Sequence, residues 1–293
     1  MRPCAGPRLC PAAMALRPHP VRAAQGFVLV SALSGVLMVV LILVAVWSQL
    51  AASHVEAQQD ARRARLVGQA QAALLVWLRT HLAALDSIQP PPGGLPDPAD
   101  AVRGLIDSDR LQIALSLPLT QGAVQCRMVA VWWPGLQGDT RFDPVRGQFS
   151  QLATDTRYAL IDGCSEERRA VAQAQASLRL LAATLERWFQ ARVQDDPLHR
   201  LDRDHFNTPA GDCQPVLADL PCLTGFTPLG SITLLQQVPG MTAGTALSPW
   251  GADVPIEVSS PPSSLQSPPF QWFLRVRTPW GSQLTAVAVQ PGA

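Results

Sequence analysis

Apolar and polar positions along the 293-residue chain fall into well-separated blocks. From Phe27 to Trp47 the sequence reads FVLVSALSGVLMVVLILVAVW, 21 residues without a charge, a proline or an amide. About 20 such residues cross the apolar core of a bilayer as a helix. The pattern then changes instead of stopping. Leu66, Ala70, Leu74, Trp77, Leu78, Leu82 and Leu85 recur at three- and four-residue steps, which predicts an amphipathic helix continuing the apolar one. As one helix, Phe27 to Leu85 would run roughly 90 Å at 1.5 Å per residue. The prolines and glycines of Gln89-Pro90-Pro91-Pro92-Gly93-Gly94 end it, because three successive prolines cannot continue a helix.

Beyond that break the period shortens. Leu111 to Leu117, Val124 to Trp133 and Tyr158 to Ile161 read as strands. A second helix is expected after Cys164, with Ser165 as its N-cap and Glu166 and Glu167 in its first turn. Val171, Ala174, Leu178, Leu181, Leu185 and Trp188 line its apolar face, and Pro197 lies past its end. The two amphipathic helices share a pattern, Arg62-Arg63-Ala64 before Gln69-Ala70-Gln71-Ala72 and Arg168-Arg169-Ala170 before Gln173-Ala174-Gln175-Ala176. That is what a duplicated helix-plus-sheet unit would leave, and what convergence of Ala/Arg/Gln-rich helices would leave too. Near the C-terminus Phe270, Trp272, Leu274 and Val276 alternate with polar residues, Thr278-Pro279-Trp280-Gly281 supplies a turn, and Leu284, Ala286 and Ala288 alternate on the return strand. The fold class expected is α+β: a long N-terminal membrane-embedded helix, then a body of antiparallel strands with a second helix.

Charge narrows the chemistry. All 23 basic residues are arginine, so a P-loop lysine, a kinase strand lysine and a pyridoxal phosphate Schiff base are excluded. Residues 1–26 carry four arginines and no acid, leaving 19 arginines against 22 acids in the rest. A mildly acidic body has no electrostatic basis for nucleic-acid binding. Arginines before the apolar run and acids after it put the N-terminus in the cytoplasm and the body outside the inner membrane.

The junction ahead of the apolar run is distinctive. Residues 23–27 read Ala-Ala-Gln-Gly-Phe, placing a small residue before the span, whereas a signal peptidase site follows it. The basic leader, Gly26-Phe27-Val28-Leu29-Val30-Ser31, the span and the helical continuation together resemble the type IV pilin and type II secretion pseudopilin superfamily. In that family a leader ending in glycine precedes Phe-x-Leu-x-Glu. The match here holds at glycine, phenylalanine and leucine and departs at Ser31, where glutamate is usual. The resemblance implies that a prepilin peptidase cuts after Gly26 and methylates the new amine of Phe27. It also implies partners: other pilin or pseudopilin subunits, met through the N-terminal helix in the inner membrane. In the family, the glutamate is thought to neutralise a neighbour's N-terminal ammonium inside an apolar bundle, where a bare charge is costly. Serine hydrogen-bonds but supplies no charge, which points to a minor subunit. Met14 would give a 13-residue leader of familiar length.

The organisation expected is therefore a leader over 1–26, the membrane and amphipathic helix over 27–88, a first β-containing module over 89–163, and a second helix with a β-rich module over 164–293. Gly211-Asp212-Cys213, Leu220-Pro221-Cys222, Leu229-Gly230 and Ser248-Pro249-Trp250-Gly251 follow the order of loop and turn motifs in many pilin-like bodies. The disulfide candidates are Cys126, Cys164, Cys213 and Cys222. No pair has Cys-x-x-Cys spacing, so a zinc or thioredoxin-like motif is not supported. Sequential pairing gives 126–164 and 213–222; free buried thiols are the alternative. The run His199-Arg200-Leu201-Asp202-Arg203-Asp204-His205 pairs its acids with arginines that oppose a cation, and reads as a solvated loop. No metal, cofactor or catalytic residue is proposed by the sequence. Its two functional readings are a minor pilin or pseudopilin, and a bitopic envelope protein with an extracytoplasmic binding domain.

Overall fold

The structure is a computed structural model. It describes residues 21–293 except 89–90, 106–107, 136–137, 204, 206–225, 232–237, 243, 245–246, 260–267 and 291–293, with secondary structure alone at 21–30, 227, 231 and 259. The architecture is α+β, with antiparallel sheets and two long helices. Two compact units are present, Met1–Ala61 and Arg62–Ala293.

Helix α1 (Val21–Leu85) contains 65 residues without a break. Within the first unit its apolar side chains are bare. Every large hydrophobic from Leu33 to Leu50 is 47–76% exposed, on all sides of the helix. A soluble helix buries one stripe and exposes polar residues. A helix apolar all round and uncovered is a candidate membrane span, and this one has the necessary length and composition.

The second unit has one hydrophobic core. From α1 it takes the expected stripe, with Leu66, Ala70, Leu74, Trp77, Leu78, Leu82 and Leu85 all buried. Helix α1 stops at Leu85, four residues before the proline run. There the Arg127 guanidinium donates to the Leu85 carbonyl (2.8 Å), satisfying an orphan acceptor of the last turn.

Seven strands precede the second helix: β1 (Gln112–Leu115), β2 (Leu119–Gln121), β3 (Val124–Cys126), β4 (Met128–Trp133), β5 (Arg141–Asp143), β6 (Gln148–Gln151) and β7 (Arg157–Asp162). Strands β1, β4 and β7 form a sheet in the order β1-β4-β7. Val129, Val131, Ala159 and Ile161 on one face join the core. The other face is covered by the β5–β6 hairpin, whose Phe149 meets Trp132, Phe142 and Tyr158 edge-on with centroids 5.0–5.6 Å apart. Gly147, at φ 66°, is the only residue type that fits the hairpin there. A Cβ would lie 2.6 Å from Met128 Cγ and 2.7 Å from Leu119 Cδ1. The single strand expected over Val124 to Trp133 is two. Arg127 breaks the ladder, so that β3 pairs with β2 and β4 with β1 and β7.

Helix α2 (Gly163–Asp195) buries the face containing Ala174, Leu178, Leu181, Leu185 and Trp188. Its N-cap is Asp162, not Ser165. The Asp162 carboxylate accepts from the amides of Cys164 and Ser165 at 2.9 and 3.2 Å, and Ser165 turns its hydroxyl back onto the Asp162 carbonyl. An ionised acceptor at the helix N-terminus caps more strongly than a hydroxyl would.

The remaining strands are β8 (Thr227–Pro228), β9 (Leu247–Ser248), β10 (Gly251–Ser259), β11 (Gln271–Arg277) and β12 (Gln283–Val289). They form a sheet in the order β12-β11-β10-β8, with β9 on β10. The expected alternation holds in β11, where Trp272, Leu274 and Val276 are 0–1% exposed. The turn Thr278–Gly281 closes as the Gly281 amide donates to the Thr278 carbonyl. The two sheets differ in strand number and order.

Candidate functional site

Gly26 and Phe27 lie within α1. Ser31 is on its surface, and its carbonyl accepts from the Ser34 hydroxyl at 2.9 Å. That bond satisfies Ser34 within the helix, as a hydroxyl in an apolar surrounding requires.

Cys126 and Cys164 are joined by a disulfide with a Cα–Cα distance of 4.9 Å. It ties the end of β3 to the first turn of α2 and is fully buried. Cys213 and Cys222, with the Gly211–Pro221 motif segment, lie outside the described residues.

In the 199–205 run the two arginines turn to Asp196. Arg200 and Arg203 lie 3.3 and 3.7 Å from its carboxylate, and the Leu198 amide donates to it. That amide first, then the arginines, hold Asp196 below the usual carboxylate range. His205 packs edge-on against Phe189. Among the described residues no group of three or more His, Cys, Asp or Glu side chains converges as metal ligands would.

The densest polar constellation is one the sequence reading did not single out. It lies where the end of α1, the start of α2, the β3–β4 link and the turn before β10 meet. Asp86 and Glu167 are 1% and 0% exposed, and their carboxyl groups are close enough to act on each other. Trp250 donates its indole N–H to Glu167 Oε2 at 2.8 Å. Arg127 sits 3.9 Å from Asp86 Oδ1, and its Nε and Nη1 donate to the carbonyls of Leu85 and Ser116 at 2.8 and 3.0 Å. Burial is the main force on both acids. It pushes Asp86 up to about 6 and Glu167 up to about 8, the Asp86 charge adding to the rise of Glu167 while Trp250 and Arg127 only partly offset it. Trp250 in turn meets Trp280 edge-on at 5.9 Å, and Trp280 donates to the Ala123 carbonyl at 3.1 Å. The β11–β12 turn also accepts the Ile88 amide at Pro279.

At the adjacent residue of α2 the chemistry is opposite. Glu166 receives a bidentate pair from Arg79, 2.8 and 3.1 Å, and a further bond from Arg169 at 3.2 Å. The Arg79 hydrogen bonds, ahead of the smaller effect of burial, pull Glu166 below its ordinary value. Neighbouring acids of α2 are thus set apart by environment, one ionised beside arginines and one held neutral in the core.

The buried pair has a sequence signal. Asp86 follows Leu82 by four residues and Glu167 precedes Ala170 and Ala174 by three and seven, so each acid falls on the apolar stripe of its helix. First-turn acids usually complement the helix dipole, and that reading hides the burial of Glu167.

Comparison of the chain with known protein families, with curated proteins and with solved structures gives no match.

Proposed function

We propose that the chain is a minor pilin or pseudopilin that primes or caps a type IV pilus or type II secretion pseudopilus. The observation that carries this reading is α1. A bare apolar helix passes without a break into an amphipathic one whose stripe is built into the core of the second unit. A simple anchor needs no such continuity; a linker would serve. A subunit packed into a filament by its membrane helix does need it, because the helix must transmit its position to the body.

On this reading the leader ends at Gly26, the mature amine is that of Phe27, and the body lies outside the inner membrane. Ser31 biases the subunit toward an initiating or terminal position, since it brings no carboxylate to a neighbour's ammonium. Its work is packing, with helix burial as the attraction and no catalytic role.

The test is intact mass and N-terminal sequencing of membrane-extracted protein from cells with and without an active prepilin peptidase. A peptidase-dependent product beginning at methylated Phe27 is expected. An uncut N-terminus with the peptidase present refutes the proposal and leaves a bitopic envelope protein.

A further inference from the structure

Two oxygens in the buried junction, Asp86 Oδ1 and Glu167 Oε1, have no hydrogen-bond partner when both groups are treated as carboxylates. Buried polar atoms without partners are rare and costly. One proton shared by the two carboxyls makes the protonated acid a donor to the other. With that proton the pair carries one negative charge, and Arg127 lies beside it. Without it, two charges share one cation, Arg127, whose Nε and Nη1 also donate to the Leu85 and Ser116 carbonyls.

The groups facing the pair are few. From α1 comes Asp86 itself and from α2 Glu167. The β3–β4 link supplies Arg127, and the turn before β10 supplies the uncharged indole of Trp250. Arg79, Glu166 and Arg169 satisfy one another on the adjacent helical faces. Trp250 is the arm from the C-terminal sheet that reaches this pair, and it is seated between Glu167 and Trp280.

We propose that one proton shared by Asp86 and Glu167 latches the Trp250 turn of the C-terminal sheet to the two helices, and that loss of this proton releases the turn. The proton leaves to solvent base and no other covalent bond changes. Opening admits water to two carboxylates that the closed junction cannot hold together. The inference stands on the junction alone and is independent of the reading of the chain as a pilin.

The experiment is hydrogen exchange by mass spectrometry on the full chain in detergent micelles, from pH 5 to 9, following peptides that cover Leu247–Val258. After correction for intrinsic exchange, a one-proton latch makes the opening equilibrium of this segment rise about tenfold per pH unit between roughly pH 6 and 8. Peptides from β4 and β7 serve as an internal reference and stay flat. In Glu167→Gln the amide donates to Asp86 while its carbonyl still accepts from Trp250, so the pH dependence disappears. Asp86→Asn, which donates to an ionised Glu167, flattens it equally and covers the case in which Glu167→Gln does not fold. A flat wild-type profile, or variants that follow the wild type, overturns the proposal.

Discussion

Gly163 is the position where the close packing of the second unit can be tested most sharply. It is the first residue of α2, where alanine is ordinarily preferred over glycine by about 1 kcal/mol. Here a Cβ would fall far inside van der Waals distance of the Arg127 carbonyl oxygen, 3.2 Å from its carbonyl carbon and 3.5 Å from Leu78 Cδ2. The obstacle is main chain, so no side-chain rotation relieves it. Restoring normal contact takes a separation of about 1 Å, and both sides are pinned. The Cys126–Cys164 disulfide flanks the contact on each chain, Asp162 caps the helix, and the Arg127 guanidinium holds two carbonyls. Losing the cap costs about 1 kcal/mol and each of the two charge-assisted bonds about 1.5–3 kcal/mol, so Gly163→Ala should destabilise by at least about 4 kcal/mol. At about 2–4 °C per kcal/mol for a body of this size, Tm should fall by roughly 8–16 °C. Thermal unfolding of the full chain in micelles measures this, with Gly68→Ala as the comparator. Gly68 lies in α1 with nothing within 4 Å of a built Cβ, and its substitution should be neutral or stabilising by up to about 1 kcal/mol. If Gly163→Ala unfolds within a degree or two of wild type, the close approach of α2 to Arg127 is wrong.

Replacing Cys126 and Cys164 together by serine opens a loop of 38 residues and should cost about 4 kcal/mol on the chain-entropy account, read as a lower denaturant midpoint that reductant no longer shifts. Glu166→Gln tests the acid side of the pH profile. A carboxylate held below its ordinary value stabilises at pH above its unfolded pKa and loses that contribution as pH falls through the lower folded one, so the wild type should weaken below about pH 4.5 and the variant should not. Arg79 is half exposed, so solvent screening keeps the effect small. Glu167 acts in the other direction. Its raised value means that the stabilisation is complete below its unfolded pKa and is lost as pH rises toward about 8, so stability should peak at mildly acidic pH.

The helices and the last hairpin were legible because each repeats one period over many residues. The stripe from Leu66 to Leu85 is buried as expected, as is the alternation Trp272, Leu274, Val276. Of the short strands, β1, β3, β4 and β7 fall in the runs read as strands, whereas β2, β5 and β6 were not legible. The β5–β6 hairpin offers only Phe142 and Phe149 as apolar anchors, and it is held by tertiary cover over Trp132. Arg127 sits in the middle of an apolar run, so nothing local says that the chain changes sheets there. The junction was missed for a related reason. Hydrogen-bond partners drawn from residues 86, 127, 167 and 250 are set by topology, and no spacing rule connects them. That the start of α1 is a candidate membrane span was readable from composition alone, because a bilayer asks for length and apolarity and little else.

The order of the chain gives the Ile88–Pro279 and Trp250–Glu167 contacts a meaning in time. The stripe of α1 is synthesised first, but β11, which shares its core, comes nearly two hundred residues later. Helix forms in well under a millisecond, whereas pairings this remote in sequence close slowly. Throughout that interval Leu74, Leu78 and Leu85 are a hydrophobic surface without its cover, on the same helix as an apolar span. For this stretch of its existence the growing chain has two apolar surfaces in tandem, and only the second is withdrawn by folding.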